Sequence, residues 1–162
     1  MKNVKRYQYL GIFHGAFTVL IGLIGGIFLT FSVIGEIQIW PLATWQVVLP
    51  GDTALWRSAH TGPIINGALC IAVMLCLSIL APTDRQARHI SYAMILMCWG
   101  NTLFYFFRIA SVNRGLALNT ERFGEGTFID YLAFLPPYLI IPVTVYAVLY
   151  LMLIAYQNYR LS

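Results

Sequence analysis

Residues 10–34 read LGIFHGAFTVLIGLIGGIFLTFSVI, a run without a single charged side chain. At ~1.5 Å per residue, a helix of this length exceeds the ~30 Å hydrocarbon core of a bilayer. Three further apolar runs cover approximately residues 63–81, 90–110 and 131–156. The sequence therefore predicts an all-α protein, an integral membrane bundle of four transmembrane helices that forms one domain over residues 1–162.

The composition supports a membrane protein and excludes several other classes. Hydrophobic residues make up 59% of the chain and charged residues 10%, whereas about a quarter of a typical soluble domain is charged. The formal net charge of +4 is too small for a nucleic-acid-binding surface. Cys70, Cys76 and Cys98 lie inside apolar runs, which favours packing over disulfides. The chain has no CxxCH motif, so covalent c-type haem attachment is excluded.

Basic residues predict the orientation of the bundle. They precede the first helix, occupy the short connection PTDRQAR between the second and third helices, and end the chain: Lys2, Lys5, Arg6, Arg85, Arg88 and Arg160. By the positive-inside rule these segments lie in the cytoplasm, together with both termini. The connection WPLATWQVVLPGD, residues 40–52, then lies outside. Its apolar residues, Pro and Gly predict a segment that folds back onto the membrane as a lid.

Polar side chains within the apolar runs are the candidates for chemistry, because such groups are costly in a bilayer and usually face the bundle interior. Asn101, Tyr105 and Arg108 recur at i, i+4 and i+7 and share a helix face. His60 and Asn66 flank the start of the second helix, where Pro63 suits the first turn. Because the second helix enters from outside and the third leaves toward it, these residues can meet in the outer half.

Each of these features also has a structural interpretation. Asn101 and Tyr105 can be interhelical hydrogen-bonding groups, and Arg108 can extend to the interface. His14 lies in the inner half, about one turn into the first helix, and is consistent with packing. The fourth helix carries only Asp130 at its mouth and a break at PPY, residues 136–138. Spacing alone thus indicates a membrane bundle with a polar pocket in its outer half.

Three blocks carry a resemblance to a known family. AHTGPIINGA at 59–68, WGNTLFYFF at 99–107 and NRGLALNTERFGEGTFIDYLAFLPPYL at 113–139 resemble the styrene-oxide isomerase family. The likeness extends over nearly the whole chain, and the combination of H-[ST]-G-P-x-x-N-G, W-x-N-x-x-F-Y and N-R-G-L is specific. The family's arginine lies two residues before the histidine, where this chain has Ser58 and carries Arg57 one position earlier.

The resemblance implies a haem b protein of the bacterial inner membrane that assembles as a homotrimer and isomerises aryl epoxides such as styrene oxide to aldehydes. Carried onto this sequence, His60 is the axial ligand of the haem iron, and Asn66, Asn101 and Tyr105 are the catalytic residues around its open face. An epoxidase that supplies the substrate is the expected upstream partner. Nucleic acid is not an expected partner.

The implied chemistry suits these residue types. An iron with one histidine ligand keeps an open position, and ferric haem can act there as a Lewis acid toward the epoxide oxygen. Opening of the benzylic C–O bond followed by a 1,2-hydride shift gives the carbonyl without net redox change. Tyr105, Asn66 and Asn101 can hold the oxygen, and an apolar site excludes the water that would give a diol.

Two other functions remain open from the sequence. A non-enzymatic membrane cytochrome b for electron transfer would need two axial histidines on facing helices, and His14 with His89 is the pair at suitable depth. A scaffold protein without a cofactor is the third possibility. An absorption spectrum of the purified protein distinguishes these possibilities.

Overall fold

Four long helices and two small hairpins make up the fold. The computed structural model describes residues 2–161, so Met1 and Ser162 lie outside the described residues. All four helices are long and apolar enough to cross a membrane, as expected for an all-α multi-pass membrane protein. The elements in chain order are α1 (Lys2–Ile34), β1 (Glu36–Ile39), β2 (Ala43–Gln46), α2 (Thr53–Leu80), α3 (Asp84–Phe107), β3 (Asn119–Thr120), β4 (Gly124–Glu125) and α4 (Phe128–Leu161).

Helix α2 begins at Thr53, well before the predicted start at residue 63. Asp52 caps it, with a side-chain oxygen that accepts a hydrogen bond from the Leu55 backbone N–H at 2.8 Å. Pro63 therefore lies inside the helix, and the prediction that it occupies the first turn is wrong. Its missing N–H leaves the Ala59 carbonyl without its helical donor. That carbonyl lies against Gly25 of α1, where a Cβ would come within 2.8 Å of the oxygen.

Helix α4 runs without interruption through Pro136, Pro137 and Pro142, so the predicted break at PPY is wrong. Membrane helices tolerate proline when neighbouring helices and side chains compensate for the lost hydrogen bonds. Helix α3 approaches closely here, because Gly100 faces the side chain of Ile140 and lies near the Pro136 carbonyl. Thr144 adds a hydrogen bond from its hydroxyl to the Ile140 carbonyl at 3.0 Å.

A seam of glycines joins α1 to α2. A Cβ at Gly22 would come within 2.8 Å of the His60 carbonyl. Further along the seam, Gly67 of α2 lies against the Gly15 carbonyl. Small residues let membrane helices approach until their backbones touch. The seam fixes α1 against α2 at the depth of His60.

The connection after α1 forms a β-hairpin, in which β1 pairs antiparallel with β2. Trp40 and Leu42 at its tip are 90% and 82% exposed. The tip therefore covers no part of the chain's own helices, and the expected lid is not formed within one chain.

Asp130 anchors the α3–α4 connection to the first turn of α4. Its fully buried carboxylate accepts hydrogen bonds from the Ser111 hydroxyl at 2.5 Å and the Asn113 backbone N–H at 2.7 Å. It also accepts from the backbone and hydroxyl of Thr127. Gly115, at φ +67°, sits against the ring of Phe104 in α3. The N-R-G-L motif thus fastens this loop to the end of α3.

Candidate functional site

His60 lies two turns inside α2, half-buried at the edge that faces α1. Its Nδ1 is 2.9 Å from the Gly22 carbonyl oxygen of α1. Because a carbonyl can only accept, this contact requires the proton on Nδ1 and leaves Nε2 with its lone pair. No hydrogen bond to Nε2 occurs among residues 2–161. Donation from one ring nitrogen to a backbone carbonyl is the arrangement that usually orients a metal-ligating histidine.

Gly26 provides the surface on which the imidazole rests. A Cβ at this position would lie 2.7 Å from Nδ1 and 2.8 Å from Cε1 of His60. The ring can occupy this place only because residue 26 has no side chain. Two glycines of α1 thus position the His60 side chain: Gly22 accepts its hydrogen bond, and Gly26 leaves space for its ring.

Gly26→Ala should displace the imidazole and lengthen its bond to the Gly22 carbonyl. If His60 binds the haem iron, we expect the affinity for haem to fall about 10-fold to 100-fold, the usual cost of losing a contact that orients a metal ligand. Ile27→Ala, at a neighbouring exposed position of α1, is the matched control. Haem content per chain, measured on the purified variants, checks this expectation. Equal haem content in the two variants would show that Gly26 is not needed to position His60 for haem binding.

Tyr105 of α3 packs against the edge of α2 that lies opposite His60. Its ring lies directly against Gly62, where a Cβ would overlap the ring atoms. Phe104 packs against the same ring, with the centroids 5.3 Å apart. Within residues 2–161 the phenol hydroxyl has no hydrogen-bond partner. The hydroxyl is therefore held in place by packing and remains available as a donor.

Asn66 and Asn101 meet one turn away from this contact. The Asn101 amide nitrogen donates to the Asn66 side-chain oxygen at 3.4 Å. The Asn66 backbone carbonyl accepts a weak bond from the Cys98 thiol at 3.3 Å. In this arrangement the side-chain amide nitrogen of Asn66 is directed elsewhere and is a second available donor. Of the four residues that were predicted to meet, the structure thus pairs Asn66 with Asn101 and places the Tyr105 ring one turn of α2 away, against Gly62.

His60 does not face this group within one chain. Asn66 follows His60 by six positions, so at 100° per residue their side chains leave α2 about 120° apart. His60 contacts α1, whereas Asn66 contacts α3. The prediction that His60 meets these residues is therefore wrong within one chain, because their side chains leave α2 in different directions. A single chain therefore presents an imidazole and a donor group at two edges of the same helix.

His14 and His89, the pair required by the cytochrome alternative, are apart. The indole N–H of Trp99 donates to Nδ1 of His14 at 3.1 Å. His89 instead lies 3.3 Å from the Tyr146 hydroxyl. Trp99 and His89 are ten positions apart on α3, or about 15 Å along its axis. His14 also lies deeper than predicted, because α1 already begins at Lys2.

Arg108 caps the end of α3 beyond the membrane-spanning segment. Its guanidinium carbon lies 5.0 Å from the Phe104 ring centroid, and its buried Nε has no partner among residues 2–161. Removal from water lowers the pKa of this guanidinium, the nearby Tyr105 opposes the shift, and Arg114 adds to it. The side chain packs over Phe104 and so supports the residue that holds Tyr105. Arg57 is exposed on α2.

The residues that sequence reasoning missed are glycines. Gly22, Gly26 and Gly62 carry no chemical group, yet they place the His60 imidazole and the Tyr105 ring. Their signal in the sequence was the glycine spacing of α1 and the glycine of the HTGP block. The three cysteines are free; Cys70 and Cys98 are buried as packing residues, whereas Cys76 is exposed on α2, so the packing prediction is wrong for Cys76. Across residues 2–161 no group of three or more His, Cys, Asp or Glu side chains is placed to hold a metal ion.

Comparison with known proteins assigns the chain to a family. The profile of the styrene oxide isomerase family matches residues 7–156. A styrene-oxide isomerase from Pseudomonas fluorescens is 35% identical over 126 residues, which cover 78% of this chain and 75% of that protein. The range matched by the profile includes positions 60, 66, 101 and 105. This chain is therefore a member of the styrene oxide isomerase family, and its enzymatic class is isomerase.

Proposed function

We propose that this isomerase converts aryl epoxides such as styrene oxide to aldehydes, with a haem b group held by His60. The observation that carries the proposal is the fixed imidazole, whose Nδ1–H is bound to the Gly22 carbonyl while Nε2 is left as a ligand. The substrate class is supported by the relative's name and by an apolar bundle suited to an aromatic epoxide.

The residues fit a haem with one protein ligand. The His60 tautomer supplies a neutral imidazole nitrogen, as iron requires. His60 would hold the group through Nε2, the ring nitrogen that has no hydrogen bond within residues 2–161. When bound, ferric haem would supply Lewis acidity toward the epoxide oxygen.

The chain's own donors act on the oxygen of the substrate. As the benzylic C–O bond opens, that oxygen gains negative charge and the benzylic carbon gains positive charge. The Tyr105 hydroxyl and the Asn66 amide N–H are available to donate to it, while Asn101 orients Asn66 through their 3.4 Å bond. Donors fixed before the reaction stabilise developing charge more than mobile water does.

The surrounding helices determine which product forms. A hydride moves from the oxygen-bearing carbon to the benzylic carbon, and the C=O bond forms in the same molecule, so electrons balance without an external reductant. Water at this stage would add to the benzylic carbon and give a diol. The apolar ring of Phe104, packed against Tyr105, would limit that access.

We further propose that the enzyme is a homotrimer whose copies complete each other's sites. In one chain, His60 and the donor group leave α2 at different edges. A ring of three copies in head-to-tail contact can place the His60 edge of one copy against the donor edge of the next. The many exposed apolar side chains on α1, α2 and α4 leave room for such contacts beside those with lipid.

Co-expression of two impaired chains tests this assembly. Trimers that mix His60→Ala chains with Tyr105→Phe chains should regain about a third of parent activity, because one of the three head-to-tail interfaces in every mixed ring joins an intact histidine to an intact tyrosine. Each variant expressed alone is the control. Absence of any recovery, in trimers shown to be mixed by two affinity tags, would place both residues in one chain's site.

We propose that an upstream epoxidase supplies the substrate.

We also propose that the protein lies in the bacterial inner membrane with both termini in the cytoplasm. The basic residues at the two ends and in the α2–α3 connection support this orientation. Alkaline phosphatase fused to the C-terminus should be inactive, whereas its insertion at the tip of the β1–β2 hairpin should be active. The opposite pattern would reverse the topology.

A further inference from the structure

A groove of about 550 Å³ opens among α1, α3 and α4 at the basic end of the bundle, the end that contains the α2–α3 connection. Its walls change in character along the membrane normal. Arg88 and His89 line the part near the start of α3, and the Tyr146 hydroxyl reaches His89 from the middle of α4. Leu96 and Val143 line the part nearer the middle of the bundle. We propose that this groove binds one anionic phospholipid, with the phosphate at Arg88 and an acyl chain along Leu96.

The dimensions of the groove match a lipid that lies along the helices. Arg88 is four positions after the start of α3 at Asp84, or about 6 Å from the helix end, which is headgroup depth. Leu96 is eight positions further, or about 12 Å deeper. It is 50% exposed, so the apolar part of the groove is open to an acyl chain.

Charge at this end of the bundle selects an anionic headgroup. Lys5, Arg6, Arg85, Arg88 and Arg160 are the cationic side chains of the described chain here, and Asp84 is the one carboxylate beside them. Asp84 already accepts a hydrogen bond from the Asn3 amide at 2.7 Å. Basic pockets between membrane helices on this side are suited to anionic lipid headgroups.

Aromatic groups shape the headgroup end of the groove. The rings of Tyr7 and Tyr92 meet edge to face with centroids 6.2 Å apart, and both line the groove. The Tyr146 hydroxyl lies 3.3 Å from Nδ1 of His89 on the other wall. Tyrosine hydroxyls at this depth can donate to phosphate or glycerol oxygens while their rings contact the acyl region. None of these residues belongs to the proposed isomerase site.

Native mass spectrometry of the full-length protein tests the proposal. The parent, released from nanodiscs of equimolar phosphatidylcholine and phosphatidylglycerol, should retain phosphatidylglycerol preferentially. Arg88→Gln should reduce that retention about fivefold, the ratio for about 1 kcal/mol per cationic side chain at a membrane surface. Arg85→Gln makes the same charge change at an exposed position outside the groove and should retain the lipid. Arg88→Lys should restore binding.

Four results would overturn the inference. Equal retention of the two lipids by the parent would show that the groove has no headgroup preference. Equal losses in the Arg88→Gln and Arg85→Gln variants would reduce the effect to general surface charge. Displacement of the lipid by excess inorganic phosphate would make the site an anion site rather than a lipid site. Finally, the groove would be a contact between copies if Arg88→Gln retained the lipid unchanged and if a separate Leu96→Cys variant formed cross-links to a neighbouring copy.

Discussion

Replacing His60 by alanine should remove the bound haem and lower epoxide isomerisation to about 1% of parent activity or less, since a metal Lewis acid contributes several kcal/mol. The substitution removes the His60 Nε2 atom, which is available to a metal because the hydrogen bond to the Gly22 carbonyl uses Nδ1. The Soret absorbance per chain and the initial rate with styrene oxide measure the two effects. Both should fall together.

His14→Ala and His89→Ala are the matched controls for this experiment. His14 accepts from Trp99, and His89 pairs with Tyr146, so neither substitution should remove haem. Their effects should be limited to packing and stability. A normal Soret band in the His60 variant, with loss in either control, would move the axial ligand and favour the cytochrome alternative.

Tyr105→Phe should separate binding from chemistry. The ring and its packing on Gly62 and Phe104 stay, but the donor to the developing oxyanion is lost. Because that bond strengthens in the transition state, kcat should fall much more than substrate affinity. Loss of one such donor costs about 100-fold to 1000-fold in other enzymes. We expect the low end of this range or less, because iron would also polarise the oxygen.

The control for Tyr105→Phe is Tyr138→Phe, which makes the same chemical change at a tyrosine of α4 that is 59% exposed. It should retain parent turnover. Haem content should be normal in both variants, so that any rate difference reports on the phenol. Unchanged turnover in Tyr105→Phe would leave that residue as a packing side chain.

Four helices of membrane-spanning length were predictable because each apolar run is about as long as the bilayer core is thick or longer. Their ends were not predictable from hydropathy alone. Residues 53–62 contain Arg57, His60 and Thr61 and read as a loop, yet the Asp52 cap starts the helix ahead of them. The prolines of α4 likewise led to the prediction of a break, yet α4 stays continuous because neighbouring helices pack against it there.

The candidate site was predictable in depth and only partly in direction. The i, i+4 spacing of Asn101 and Tyr105 correctly placed both opposite α2. The direction of His60 depends on where α1 packs, and that is decided by backbone contact at Gly22 and Gly25. Such a contact has no polar or charged signature in the sequence. The separation between His60 and the donor group therefore appeared only in the structure.

The central claim, that this family member is a haem-dependent aryl epoxide isomerase, is tested most directly by one assay. Purified protein with a confirmed ferric haem spectrum is incubated with styrene oxide under anaerobic conditions, without a reductant, and the products are measured by NMR. We predict stoichiometric conversion of the epoxide to phenylacetaldehyde, with no diol, because the rearrangement needs neither oxygen nor electrons. Absence of aldehyde with styrene oxide and with any other aryl epoxide would contradict the account.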